Sequence, residues 1–260
     1  MKKLFCIADV HSFYDEMIEA LTEAGFDIDN KDHIIIHCGD LLDRGPKALD
    51  CLNFINNIPK NRKILIRGNH EDLLEEALDR GYFCWHDHHN GTIDTCAQLS
   101  EISEEDILQH ELTLFAAIDK VKNRPELNTY LNSLVDYYEV DNYVFVHGWI
   151  PTKYTDGMLI YNVDDGYWRD GDWKSSRWLN GMKEWSNNYR LADKTIVCGH
   201  WHSSWGHFNL HGEGTEFGKE ANFESFIDDG IVALDGCTVY SKKVNCYVIE
   251  IEDDKWLLNM

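Results

Sequence analysis

Short apolar runs alternate with segments of helical period along this 260-residue chain. The runs FCIA, IIIHC, ILIR, YVFV and TIVC are rich in branched residues, and each has the length of a buried strand. The segment Asp15–Gly25 lines up Met17, Ile18, Leu21 and Ala24 on one helical stripe, and Gly25 stops it. Strand Leu4–Ala8, that helix, strand Ile34–Cys38, helix Pro46–Asn57, strand Lys63–Arg67 and helix Glu71–Arg80 make a βαβαβα order. Proline opens the second helix and Gly81 follows the third, so the pattern predicts an α/β scaffold.

From Tyr82 to Asp141 the chain turns polar and helix-forming, with Leu99, Ile102, Ile107, Leu108, Leu112, Leu114 and Ile118 at helical intervals. This predicts a helical insertion over 82–141. The sheet resumes at Tyr143–Val146, then breaks over 149–192, a stretch dense in Trp, Tyr, Asp and Asn that reads as a lid-like insertion. Strands Thr195–Cys198, Ile231–Leu234 and Cys246–Ile251 follow, with an aromatic, glycine-bearing loop Trp201–Phe226 between the first two. One domain spanning 1–260 is the expected organisation.

Charge narrows the partners. A formal net charge of −22 argues against a nucleic acid duplex, and it means that metals or arginines must carry the binding of an anionic phosphate. The opening MKKLFCIADV holds no apolar segment long enough for a signal peptide or membrane span, so no membrane partner and a cytoplasmic setting are expected. The eight cysteines include no CxxC spacing, and several lie within apolar runs, which predicts reduced thiols.

Each of five apolar runs ends in a polar cluster: Asp9-Val10-His11, Gly39-Asp40, Gly68-Asn69-His70, His147-Gly148 and Gly199-His200. Ligands of open α/β sheets bind outside the carboxyl ends of the strands, where residues distant in sequence converge. The converging set would be oxygens and imidazoles without sulfur, suited to Mn, Fe, Zn or Ni. A lone DxH or GD is weak evidence, whereas GDLLDRG ahead of a proline-started helix is far more specific.

Taken together, ADVH (8–11), GDLLDRG (39–45), RGNHE (67–71), VHG (146–148) and GHWH (199–202) resemble the calcineurin-like metallophosphoesterases, and more closely their phosphoprotein phosphatase branch. The resemblance implies a double β-sandwich flanked by helices and a binuclear metal centre. It implies that Asp9, His11 and Asp40 bind the first ion, that Asp40 bridges, and that Asn69, His147 and His200 complete the second site. His202 matches a histidine that binds the first ion in other branches of the family. A second phosphate-binding arginine is implied between the last two metal histidines, where Arg169, Arg177 and Arg190 are candidates and Arg177 is preferred for its ordered surroundings.

Elementary chemistry agrees with that reading. Two ions bridged by a carboxylate, about 3.5–4 Å apart, clamp a phosphoryl group and acidify a bridging water to the attacking hydroxide, which then adds in line. Arg44 offers a planar fork to phosphate oxygens, Asn69 and Arg177 adjoin the same substrate, His70 protonates the leaving group, and Asp43 fixes the tautomer of His70. Arg67 is expected to brace its loop by ion pairing. His86, His88 and His89 read as a solvated loop, and Trp201, Trp205, Phe208, Phe217 and Phe223 as packing residues with a capacity to stack a nucleobase. The leading expectation is a phosphoserine/phosphothreonine phosphatase acting on a phosphorylated protein or a small phosphate ester. The alternative is a symmetrical diadenosine tetraphosphate hydrolase, a relative that the GHW triplet and the tryptophan-rich segment also resemble.

Overall fold

The computed structural model of the chain describes residues 1–151, 153–155, 158–160 and 166–257. Twelve strands are present among them: β1 Lys2–Ile7, β2 His33–His37, β3 Lys63–Ile66, β4 Leu134–Val135, β5 Tyr138–Val140, β6 Tyr143–Phe145, β7 Lys153–Thr155, β8 Met158–Ile160, β9 Thr195–Cys198, β10 Phe226–Asp228, β11 Ile231–Ala233 and β12 Tyr247–Ile251. One sheet runs β12-β1-β2-β3-β4 and the other β10-β11-β9-β6-β5, with β7-β8 a separate hairpin. Each large sheet has a parallel centre, β1-β2-β3 in the first and β6-β9-β11 in the second. Antiparallel β12, β10 and β5 border them.

The period-two alternation of the strands explains the layering. In β1, Leu4 and Cys6 meet Val197, Val232 and Phe145 in a core between the two sheets. Phe5 and Ile7 point the other way, into helices that bury Leu21, Leu52 and Leu74. In the second sheet Val197 faces the first sheet, whereas Ile196 and Cys198 face a tryptophan-rich outer layer. A strand that is apolar on both faces must be covered on both, so the result is helix, sheet, sheet, helix. The α/β expectation holds, and the double sandwich implied by the resemblance is the observed form of it.

Boundaries shift for identifiable reasons. The second helix spans Ala48–Asn57, with Lys47 rather than proline at its cap. The third spans Asn69–Arg80, so Asn69 and His70 belong to its first turn, and Gly81 ends it at φ +78°. His86, His88 and His89 lie in a short helix, Trp85–Asn90, instead of a loop.

Residues 82–141 do not form a simple helical appendage. Their helices supply Cys96, Leu99, Ile118, Val121, Leu127 and Tyr130 to the same core as Phe5 and Ile35. Their end supplies β4 to the first sheet and β5 to the second. Strands of two and three residues are too short to show a period in sequence. The lid-like reading of 149–192 falls partly outside the described residues. Within them, Trp149, Trp168, Trp173 and Trp185 are buried against the second sheet. Those indoles are core, while Trp178 is half exposed.

Candidate metal centre

The strands deliver their polar ends to one place. Asp9 and His11 follow β1, Asp40 follows β2, His147 follows β6 and His200 follows β9, while Asn69 and His70 start the helix after β3. Asp40 Oδ2 is the hub, 3.4 Å from His147 Nε2 and 3.9 Å from both His11 Nε2 and His70 Nε2. His11, Asp40 and His70 form one group of close ligand atoms, and Asp40, His147 and His200 form a second that shares Asp40. Asn69 Oδ1 bridges His147 Nε2 at 2.8 Å and His200 Nδ1 at 2.9 Å.

Backbone geometry reinforces the convergence. Asp9, His11, Asp40, Asp43, Arg44 and His200 all sit at positive φ, a region that non-glycine residues enter at a cost and that clusters at functional sites. The neighbouring glycines are required by close approach: a Cβ on Gly68 would collide with the Asp40 carboxylate, and one on Gly199 with the Asp9 carboxylate. Glu71 locks two of the loops together. Its carboxylate accepts from the amides of Gly68, Asp40 and Leu41 and from the Tyr130 hydroxyl.

Second partners fix how each imidazole presents itself. His11 Nδ1 donates to the Leu42 carbonyl at 3.1 Å and His147 Nδ1 to the Cys38 carbonyl at 2.7 Å. Nε2 of each ring is therefore the atom turned toward the cluster. The His200 ring meets Asn69 Oδ1 with Nδ1 at 2.9 Å. His70 Nδ1 faces Asp43 Oδ2 at 2.8 Å, and Thr92 and Thr95 hydroxyls hold that carboxylate. The guanidinium of Arg44 spans the two rings, 3.0 Å from His11 Nε2 and 3.0 Å from His70 Nε2.

The electrostatics call for cations. Burial pushes the Asp9 carboxyl well above the usual carboxylate range, and Asp235 adds to that push. Asp235 is itself raised to about 6 by burial. Burial also opposes ionisation of Asp40, but His147 and His70 outweigh it and hold its carboxyl well below the usual range. Burial lowers His147 too, yet Asp40 overcomes it and lifts that imidazole to about 10, whereas burial drops His200 to about 3. Buried carboxylates packed against imidazoles make a donor set that fits two divalent ions, which would take the place of the proton that Asp40 otherwise holds on His147. When bound, such ions supply Lewis acidity and an acidified water to phosphoryl transfer.

Two expected site residues lie elsewhere. His202 caps the helix Ser203–His211, and its ring turns to Ser204 Oγ at 2.9 Å and to Glu216 at 3.4 Å. It does not join the described ligand groups around Asp40. Arg177 is buried, and its fork meets Asp72, 2.5 Å away, and Asp136. The other arginine candidates are also occupied, Arg169 on Glu139 and Arg190 over the Trp185 ring. Arg67 pairs with Asp72 and Glu75. Sequence reading missed Asp235, whose charge acts on Asp9. It ends the run IVAL, so the strand-end rule that found the other residues applies to it equally.

Comparison with known proteins now defines the class. The calcineurin-like phosphoesterase family matches residues 2–233, so the chain belongs to that family of metal-dependent phosphoesterases. Among curated relatives, a symmetrical bis(5'-nucleosyl)-tetraphosphatase of Nitrosococcus oceani is 24% identical over 97% of this chain and 95% of its own length. An asymmetrical bis(5'-nucleosyl)-tetraphosphatase of Bacillus subtilis is 30% identical over 38% of the chain and 43% of its length. Serine/threonine-protein phosphatase 1 of Salmonella typhimurium is 29% identical over 29% of the chain and 33% of its length. Of solved structures, a cold-active protein-tyrosine phosphatase of a psychrophilic Shewanella shares the fold, with a TM-score of 0.52, 16% identity and coverage of 96% and 76%. No described helix is long and apolar enough to cross a membrane.

Proposed function

We propose that this chain hydrolyses dinucleoside tetraphosphates, cleaving them symmetrically at a binuclear metal centre held by Asp9, His11, Asp40, Asn69, His147 and His200. The observation that carries this choice is a pair of tryptophans beside the cluster. Trp178 and Trp201 stand with ring centroids 5.8 and 6.0 Å from His200, and their indoles are 49% and 37% exposed. Partly exposed indoles next to a phosphate-handling site suit nucleobase stacking, a contact that a phosphoserine peptide does not need. The relative that aligns along nearly the whole of both chains is a symmetrical tetraphosphatase, which supports the dinucleotide over the phosphoprotein.

In this reading Arg44 grips phosphate oxygens with its fork, and Asn69 adjoins the same group. Charge accumulating on those oxygens is met by fixed donors that need no reorganisation. His70, its Nδ1 proton held by Asp43, delivers a proton from Nε2 to the departing oxygen. Manganese-loaded protein offered a dinucleoside tetraphosphate, a phosphopeptide and an aryl phosphate tests the assignment. The expected result is a higher kcat/KM for the dinucleotide, by about tenfold or more for each stacked base, with nucleoside diphosphate as the only product. Preference for the phosphopeptide, or monophosphate plus triphosphate products, would overturn it.

A further inference from the structure

Away from Asp40, the helix Ser203–His211 carries His207 and His211 one turn apart on one face. Gly212 ends that helix at φ +70° and reverses the chain, and the Glu213 amide then bonds the His207 carbonyl at 2.9 Å. This reversal is what brings the Glu213 side chain back over His207. One ligand atom from each of His207, His211 and Glu213 falls within 4.8 Å of the others. We propose that these three residues form a structural cation site of zinc type, separate from the catalytic cluster, which pins the loop 212–225 against the helix.

His207 Nε2 lies 3.2 Å from the carbonyl of Glu224, so one ring proton sits there and Nδ1 is the atom turned to Glu213. That Nδ1 faces Glu213 Oε2 at 3.2 Å, a contact that a second ring proton or a cation between the two atoms would satisfy. With Zn–N and Zn–O bonds of about 2.0–2.2 Å, a tetrahedral edge is about 3.3 Å, which matches the observed separation. His211 Nε2 lies 3.0 Å from Asp228 Oδ2, so a carboxylate orients this ring and leaves Nδ1 as the ligand, the arrangement usual for metal-bound histidines. The buried Phe226 ring, 5.5 Å from His207 and 4.6 Å from His211, forms a rigid floor under both. Two imidazoles and a carboxylate suit zinc better than magnesium or calcium.

A clamp here has a reason to exist. The pinned loop carries Glu216 and Phe217, which hold the His202 ring two residues past His200. An ion at His207 would therefore steady the segment that packs on His202, two residues past His200.

The test counts metal. Full-length protein is equilibrated with buffered zinc and analysed for metal per chain, with wild type beside His211→Ala, Glu213→Gln and the surface control His86→Ala. The proposal expects one fewer zinc in the first two variants than in wild type and the control, with unchanged circular dichroism. It also expects zinc to slow amide exchange in 212–225 in wild type and the control but not in the two site variants. Equal zinc content in all four proteins would overturn it. So would a nitrogen NMR spectrum showing both His207 nitrogens protonated in zinc-saturated protein, because a proton would then occupy the contact.

Discussion

Asp43 Oδ2 and His70 Nδ1 face each other across 2.8 Å, both side chains buried, with Thr92 and Thr95 fixing the carboxylate from a helix that sequence periodicity alone treats as an insertion. The acid of the proposed reaction is thus oriented from outside the strand-end motifs. Replacing His70 with Asn is expected to lower kcat on alkyl phosphate esters by about 10²–10³, with a much smaller loss on activated aryl esters. Asp43→Asn should cost about 10–100-fold on the alkyl esters. A leaving-group series measured at constant metal content checks both, and equal losses along the series would remove His70 as the acid.

Tyr130 donates to Glu71 Oε1 at 2.8 Å, while the same carboxylate holds the amides of Gly68, Asp40 and Leu41. Tyr130→Phe removes one bond to a buried carboxylate and is expected to destabilise the fold by about 1.5–3 kcal/mol. Urea denaturation measures this, and an unchanged midpoint would show that Glu71 needs no help from the helical layer.

Trp178→Ala and Trp201→Ala separate base stacking from phosphate chemistry. Each is expected to raise KM for a dinucleoside tetraphosphate by about 5–100-fold, leaving aryl phosphate kinetics unchanged. Parallel losses on both substrates would mean that the indoles support the His200 loop instead.

His37 is fully buried in β2, and neither of its ring nitrogens has a hydrogen-bond partner among the described residues. Burial lowers its pKa to about 3, against about 6.5 in the unfolded chain. A histidine with a depressed folded pKa must be neutral to fold. Its contribution is therefore complete above pH 6.5 and is lost as pH falls from 6.5 toward 3, at about 1.4 kcal/mol per pH unit. His37→Leu should remove that share of the slope when unfolding free energies are compared between pH 7 and 4.5 in chelator-containing buffer.

The parts of this protein written in local pattern were legible early. Five apolar runs with polar ends announce five strands and most of the residues around Asp40, because side-chain period and strand-end chemistry are local properties. Asp235 obeys the same rule at the end of the run IVAL. The split into two sheets is not local. Leu4 and Phe5 are equally apolar, and only the assembled layers decide that one faces the second sheet and the other the helices.

Directions of long side chains were likewise undecided by sequence. Arg177 and Arg44 read alike as phosphate forks, yet Asp72 and Asp136 claim one while His11 and His70 face the other. His202 lies two residues beyond His200, but its ring turns to Ser204 and Glu216. The chain's own order thus determined which elements form and which chemistry gathers at their ends. Tertiary packing alone decided which donors share a centre, because carboxylates from remote segments compete for each cation and only the folded arrangement settles that competition.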